Sequence, residues 1–163
     1  MTSNYNPSLW ELEKRILGGD ALTTAELSIA AEALHRGSID DKLLASQALL
    51  RSNDPPAVVA AVSTVRNLCQ AALAAATPGH MNLIGVLQLI PPENFRSDPV
   101  FRDFTLLAAG FADRDIRANA TLVLARLARA GDRDALAKLN AATSDSDPLV
   151  RQNARFSLSR LSG

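Results

Sequence analysis

Residues 113–127 read DRDIRANATLVLARL, and residues 147–161 read DPLVRQNARFSLSRL. Seven of the fifteen aligned positions are identical, and the first copy begins at residue 113 where the second begins at residue 147, which defines a 34-residue repeat period. A fixed period of about 20–50 residues is typical of proteins built from stacked repeats, and a period of this length accommodates a pair of helices. The repeat therefore predicts an all-α chain whose C-terminal part forms two consecutive helical hairpins.

Four aspartates recur with the same period. Asp98 and Asp132 are separated by one repeat period, and so are Asp113 and Asp147. An aspartate directly before a helix accepts hydrogen bonds from the free N–H groups of the first turn, which stabilises the helix by about 1 kcal/mol. The spacing predicts that each of these aspartates caps one helix, with two helices in each repeat.

Each copy has the pattern Asp-x-x-(Ile/Val)-Arg-x-Asn-Ala-x-x-x-Leu-x-Arg-Leu. This pattern resembles the second helix of HEAT repeats, in particular the short HEAT-like repeats of phycobilisome lyases and of many bacterial proteins. The resemblance covers residues 98–163 and implies a right-handed α-solenoid of about four hairpins with eight or nine helices. Residues 1–97 are expected to form degenerate or capping repeats, including a weaker copy at 54–68, so that 1–163 is a single domain.

The resemblance also implies a structural role for four residues of the two copies. In HEAT-like repeats the arginine of the motif contacts a loop aspartate of the adjacent unit. This predicts a contact between Arg117 and Asp147. Asp113, Arg117, Asp147 and Arg151 are therefore expected to form a repeated structural ladder.

Composition and charge limit the class of protein. The chain is 47% hydrophobic, has zero net charge and contains one cysteine. A single cysteine excludes an internal disulfide and favours a reducing compartment, so we expect a cytoplasmic protein. No uninterrupted apolar run reaches the roughly 18–20 residues that cross a bilayer, and the first fifteen residues do not resemble a signal peptide. We therefore expect no membrane association.

The sequence predicts no catalytic site and no metal or cofactor site. His35 and His80 are the only histidines, and no set of histidine, cysteine and carboxylate residues has the spacing of metal ligands. Cys69 lies on the apolar face of a predicted helix, where we expect a buried, inert thiol.

The helical phases opposite the predicted core of the two copies are rich in arginine. Arginine binds carboxylate and phosphate groups with two parallel hydrogen bonds. A solvated face is one interpretation, and the alternatives are a docking strip for an acidic protein surface and a phosphate-binding strip. The candidate partner-binding residues, expected on the concave side, are Thr121, Arg126, Arg129, Arg155 and Arg160.

We expect a non-catalytic protein–protein interaction module: an adaptor, an inhibitor or immunity-type protein, or an assembly factor that binds an acidic partner. One alternative is a nucleic-acid-binding protein related in fold to the HEAT-like DNA glycosylases. The zero net charge and the single tryptophan argue against it, because they provide little basic or stacking surface. Another alternative is a chromophore-lyase subunit, which the resemblance alone suggests.

Overall fold

The computed structural model describes residues 7–75 and 78–163. In these residues every regular element is helical and no strand is present, which confirms the all-α prediction. The sequence predicts eight or nine helices, and the described residues form eleven α-helical segments, two of them only four residues long, and one 3₁₀ turn. The chain divides into two compact units, residues 1–68 and residues 69–163.

The first unit contains helices α1 (Pro7–Leu17), α2 (Thr24–Arg36) and α3 (Ile39–Leu50). Thr23 and Ser38 each form a reciprocal capping box at the start of α2 and α3, so both starts are set by local sequence. Helix α3 packs against both α1 and α2. The core of this unit consists of buried apolar side chains: Leu9, Leu12, Ala30, Leu34, Ala45, Leu49 and Ala61.

Helix α4 (Pro55–Ala74) runs without interruption through the boundary between the two units. Its buried residues recur every three or four positions, as expected for one face of a helix. The sequence predicts that Leu73 shares this face, but Leu73 is 38% exposed. The fully buried residues of α4 are Ala61, Val65, Cys69 and Ala72.

Within the described residues, α4 is the one helix whose length and composition would allow it to cross a membrane, with a mean hydropathy of 1.4 over its most apolar window. Arg66, Asn67 and Gln70 interrupt the apolar sequence of α4, so this helix does not contain an uninterrupted apolar run of that length. Core helices of soluble proteins pass the same test of length and composition, so the test alone does not assign α4 to a membrane. The cytoplasmic location and the absence of membrane association stay predictions.

After α4 the second unit continues with four short segments: α5 (Pro78–Met81), α6 (Leu83–Val86), a 3₁₀ turn (Leu87–Leu89) and α7 (Pro92–Ser97). The sequence predicts one short buried helix over 81–90 and a loop over 93–97. Burial is as predicted for much of 81–90, but its backbone is broken into several turns. The loop prediction is wrong, because proline is accepted in the first turn of a helix and α7 begins there.

The repeat lies in the last four helices: α8 (Pro99–Ala108), α9 (Arg114–Arg129), α10 (Arg133–Ala142) and α11 (Pro148–Leu161). Helices α8 and α10 are separated by one repeat period at both ends, and the first residues of α9 and α11 are separated by the same period. Helix α9 contacts α8, α10 and α11, and α10 contacts α11. The two predicted hairpins are therefore α8–α9 and α10–α11, whereas the right-handed solenoid stays a prediction.

All four predicted aspartate caps are present. Each carboxylate accepts a hydrogen bond from a backbone N–H group in the first turn of its helix, which satisfies donors that have no partner inside the helix. The caps are Asp98 to Val100 (2.9 Å), Asp113 to Asp115 and Ile116 (2.8 and 3.2 Å), Asp132 to Ala135 (3.0 Å), and Asp147 to Leu149 and Val150 (2.8 and 3.4 Å).

Candidate functional site

Arg117 ties α9 to the loop that follows α10. Its Nε and Nη2 donate to the two carboxylate oxygens of Asp145 over 2.9 and 3.0 Å, and its Nη1 donates to the carbonyl oxygens of Phe111 and Ala112. Both side chains of the ion pair are 15% exposed. The hydrogen bonds between them lower the pKa of Asp145 and raise the pKa of Arg117. This two-pronged pair is structural, because it joins the two hairpins.

The predicted contact between Arg117 and Asp147 is wrong. Asp147 caps α11 and lies 3.7 Å from Arg114, while Asp145 accepts both prongs of Arg117. The repeat pattern does not reveal Asp145, because the position one period earlier is Phe111.

Arg151 makes the same contacts to backbone carbonyl groups as Arg117. Its Nη1 donates to the carbonyl oxygens of Asp145 and Ser146 over 2.7 and 2.8 Å, the same offsets that Arg117 uses within its own copy. Both arginines therefore contact the loop before their own helix in the same way, although the sequence did not predict these carbonyl contacts, and the link between the hairpins is made by Asp145.

Thr121 lies in the core, so its placement on an exposed face is wrong. Its side chain is 1% exposed, and its hydroxyl donates to the carbonyl oxygen of Ala118. Helix α11 covers this side of α9, because Asn153 donates to the Ala118 carbonyl and the Ser157 hydroxyl donates to the Thr121 carbonyl. Helix α9 is packed on several sides, and Thr121 is not available to a partner.

Arg126 anchors the irregular segment before α7. Its Nη1 and Nη2 donate over 2.6 Å each to the carbonyl oxygens of Leu87 and Ile90, and its guanidinium lies 4.6 Å from the centre of the Phe95 ring. Burial lowers the pKa of Arg126, and the positive charge of Arg96 lowers it further. Arg126 is half-buried, and it supplies a donor to the Ile90 carbonyl and a second donor to the Leu87 carbonyl, which also accepts the Ile90 N–H.

Three exposed arginines lie around Arg126. A hollow of about 120 Å³ is bordered by Arg96, Arg126 and Arg129, and a second of about 230 Å³ is bordered by Arg126, Arg129 and Arg160. In the part of the chain that the structure describes, Arg96, Arg129 and Arg160 form no ion pair. We call this set the arginine surface: Arg96, Arg126, Arg129 and Arg160.

Arg155 is not part of the arginine surface. It lines neither hollow, and it occupies the repeat position of Thr121, which faces α11 from α9. Arg155 is exposed, and by this equivalence it points away from α9. The predicted strip is therefore divided, because Arg155 lies apart from the other arginines. The sequence analysis did not identify Arg96, because the residue one repeat period later is not an arginine.

The second hollow has apolar residues in its lining. Leu122 and Phe156 occupy the same position of the repeat, lie on neighbouring helices and border the same hollow, which Ala125 also lines. Phe156 is 54% exposed, and the guanidinium of Arg160 lies 5.5 Å from the centre of its ring. The hollow therefore combines exposed apolar surface with unpaired positive charge.

Helix electrostatics supplies a structural reason for the position of these arginines. All four residues of the arginine surface lie in the last turn of a helix. A cation at the negative end of the helix dipole contributes about 0.3–1 kcal/mol. This accounts for charge at the helix ends, but it does not account for the exposed Phe156 beside it.

The described residues contain no group of three or more histidine, cysteine, aspartate or glutamate side chains that could hold a metal ion. Cys69 is fully buried, and burial raises the pKa of its thiol, which disfavours the reactive thiolate. The chemistry that the arginine surface offers is hydrogen-bond donation and positive charge, which suit the recognition of anions.

The first unit has a hollow of its own, of about 350 Å³, between the α1–α2 and α3–α4 loops. Asp20, Arg51 and Asp54 border it, so its charge is mixed. It contains none of the residues that the sequence predicts to bind a partner, and its mixed charge does not specify a ligand.

Comparison of the chain with protein-family models, with curated proteins and with solved structures finds no match. The HEAT-like resemblance stays a prediction from the sequence pattern.

Proposed function

We propose that the protein is a non-catalytic interaction module with HEAT-like helical repeats, and that it binds an acidic partner protein at the arginine surface. The observation that supports this proposal most directly is the grouping of Arg96, Arg129 and Arg160 around adjoining hollows, without an ion-pair partner in the described residues.

The contrast with other arginines of the second unit strengthens the proposal. Arg102 pairs with Asp103, Asp132 and Asp134, and Arg117 pairs with Asp145. These two arginines have aspartates beside them, whereas Arg96, Arg129 and Arg160 have no ion pair in the described residues and border adjoining hollows. Complementary charge at an interface mainly speeds association and selects the partner.

The HEAT-like part of the proposal rests on the sequence motif together with the capped helices. The two hairpins have matching boundaries, matching aspartate caps and matching arginine contacts to the loop before the second helix. These features favour stacked repeats that present one side to a partner, as repeat proteins commonly do.

Charge reversal tests this proposal. The variant Arg96→Glu/Arg129→Glu should lose the proteins that the tagged wild-type chain captures at low salt, as identified by mass spectrometry. Arg155→Glu is the matched control, because it reverses an exposed arginine of the same unit that lies outside the arginine surface. Denaturant unfolding followed by circular dichroism should give all three proteins the same free energy of unfolding to within about 0.5 kcal/mol, the usual effect of a surface substitution.

Two results would reject the proposal. One is capture of the same proteins by the double variant as by the wild type. The other is equal loss of capture in Arg155→Glu, which would show that general positive charge, and not this surface, attracts the partner.

A further inference from the structure

We infer that the hollow between α9 and α11 receives a large apolar side chain from an acidic segment of the partner. This inference rests on the proposed function, because it specifies what the partner presents to the arginine surface. The segment combines carboxylates, which meet Arg129 and Arg160, with one bulky apolar residue, which contacts Leu122 and Phe156.

The spacing within each helix places the apolar and cationic contacts side by side. Leu122 and Arg126 are four residues apart in α9, and Phe156 and Arg160 are four residues apart in α11. Four residues correspond to about 6 Å along a helix axis, slightly more than one turn. Because both pairs border the same hollow, a partner that fills it meets apolar surface and positive charge within about one helical turn.

The exposure of Phe156 favours a partner with an apolar group. Aromatic side chains contribute large apolar areas to interfaces, and burying a side chain of this size against an apolar group is favourable. The hollow has a volume of about 230 Å³, so it is wide enough for more than one water molecule.

A partner that presented only negative charge would not make this contact. The phosphate backbone of a nucleic-acid duplex or a polyglutamate segment would satisfy the arginines and leave Phe156 and Leu122 in water. An acidic segment with a bulky apolar residue contacts both the arginines and the apolar residues of the hollow. We therefore prefer it to a polyanion without apolar groups.

Binding of defined probes to the full chain tests the inference. The probes are two synthetic peptides rich in aspartate and glutamate that differ only at the central residue, leucine in one and serine in the other, and a single-stranded DNA oligonucleotide of the same net charge. We expect the leucine peptide to bind at least about tenfold more tightly than the serine peptide, and more tightly than the oligonucleotide.

Two variants of α11 locate the contact. Phe156→Ser should remove the preference for the leucine peptide, and Leu149→Ser should retain it. Leu149 is the matched control because it is 43% exposed on the same helix but does not border the hollow. Both side chains are exposed, so neither substitution should unfold the chain, and circular dichroism confirms this for each variant.

The inference is overturned if the wild type does not bind the leucine peptide, if it binds both peptides equally, or if Phe156→Ser keeps the preference. Oligonucleotide binding as tight as that of the leucine peptide also overturns it. These failures differ from a failure of the proposed function: if Arg96→Glu/Arg129→Glu loses the captured partner while Phe156→Ser retains it, the function stands and the apolar contact does not.

Discussion

At the scale of single residues, the arginines of the second unit divide into two groups that the sequence does not distinguish. Arg126 and Arg160 occupy the same position of the repeat. Arg126 donates to two carbonyl groups of the broken segment, whereas Arg160 is exposed beside Phe156. The difference arises because a different element lies next to each helix, so identical residues become a structural anchor in one copy and free charge in the other.

Asp145→Asn should destabilise the protein by about 1.5–3 kcal/mol at neutral pH, the usual contribution of a hydrogen bond to a charged group. The substitution removes the carboxylate that accepts both prongs of Arg117. Asp134→Asn is the control, because Asp134 is 75% exposed in its pair with Arg102 and such pairs contribute under about 1 kcal/mol. Urea unfolding of the two variants measures the difference, and equal losses would contradict a special role for Asp145.

The same pair makes stability depend on pH. Arg117 lowers the pKa of Asp145 in the folded protein, so the folded state favours the ionised carboxylate. This contribution is fully present above the unfolded pKa of about 3.9 and is lost as the pH falls through the lower folded value. We therefore expect the stability difference between wild type and Asp145→Asn to shrink below about pH 4. A difference that stays constant in urea titrations over that range would exclude this linkage.

Arg126→Ala should destabilise the protein more than Arg129→Ala, although both residues lie near the end of α9. Loss of Arg126 leaves the Ile90 carbonyl without its donor and removes one of the two donors of the Leu87 carbonyl, which also accepts the Ile90 N–H. We expect this to cost about 1–3 kcal/mol. Arg129 is exposed, so its loss should cost under about 0.5 kcal/mol. Arg126→Lys should not restore stability, because one ammonium group does not reproduce the planar fork that reaches both carbonyls. If Arg126→Lys had the wild-type melting temperature, the two parallel hydrogen bonds of the guanidinium would not be needed for stability.

At the scale of helices, the two copies of the motif differ in burial because they have different neighbours. Leu124 in α9 is fully buried, whereas its counterpart Leu158 in α11 is half-buried. The two leucines occupy the same position of the sequence motif, so the motif alone does not predict this difference in burial. Helix α9 is packed against α8, α10 and α11, and α11 is packed against α9 and α10.

Leu124→Ala should therefore cost about 2–5 kcal/mol, the range for an emptied leucine site in a core. Leu158→Ala should cost about 1 kcal/mol, since part of its side chain is already in contact with water. Denaturant titrations of both variants check this order. A loss at Leu158 as large as that at Leu124 would show that α11 is more deeply packed in solution than in the structure.

The irregular segment before α7 precedes the first clear copy of the motif by one repeat period in the sequence. Residues 79–93 align with residues 113–127 at an offset of one repeat period, and both α6 and the 3₁₀ turn contact α9. This segment therefore packs against α9, as the helix of a preceding repeat would, but it does not form one continuous helix. Pro91 and Pro92 lack the N–H groups that would continue it, and Arg126 donates to the carbonyl groups of Leu87 and Ile90.

At the scale of the whole molecule, the sequence predicts one domain, and α4 passes through the boundary between the two compact units. Trp10 is the only tryptophan and lies in the first unit, with Lys14 over its ring. If the chain unfolds as one domain, Leu124→Ala in the second unit should lower the Trp10 fluorescence midpoint and the circular-dichroism midpoint by the same amount. An unchanged fluorescence midpoint beside a lowered dichroism midpoint would show that the units unfold separately.

The sequence by itself determined the helical class, the repeat period of the last two hairpins and the four aspartate caps. These features are local, because a cap and a helical face depend on residues within a few positions of each other. It also identified Arg126, Arg129 and Arg160 as residues of one surface, since they recur at related phases.

Only the tertiary structure decided which aspartate binds Arg117, that Thr121 is buried, that Arg155 lies elsewhere and that Arg96 joins the arginine surface. Each of these depends on which element packs against a given side of a helix. Helical periodicity indicates which residues share a face, but it does not indicate what covers that face. The contacts of α9 with α11, and of Arg126 in α9 with Phe95 in α7, settle that point, because burial and pairing are properties of neighbours that are distant in sequence.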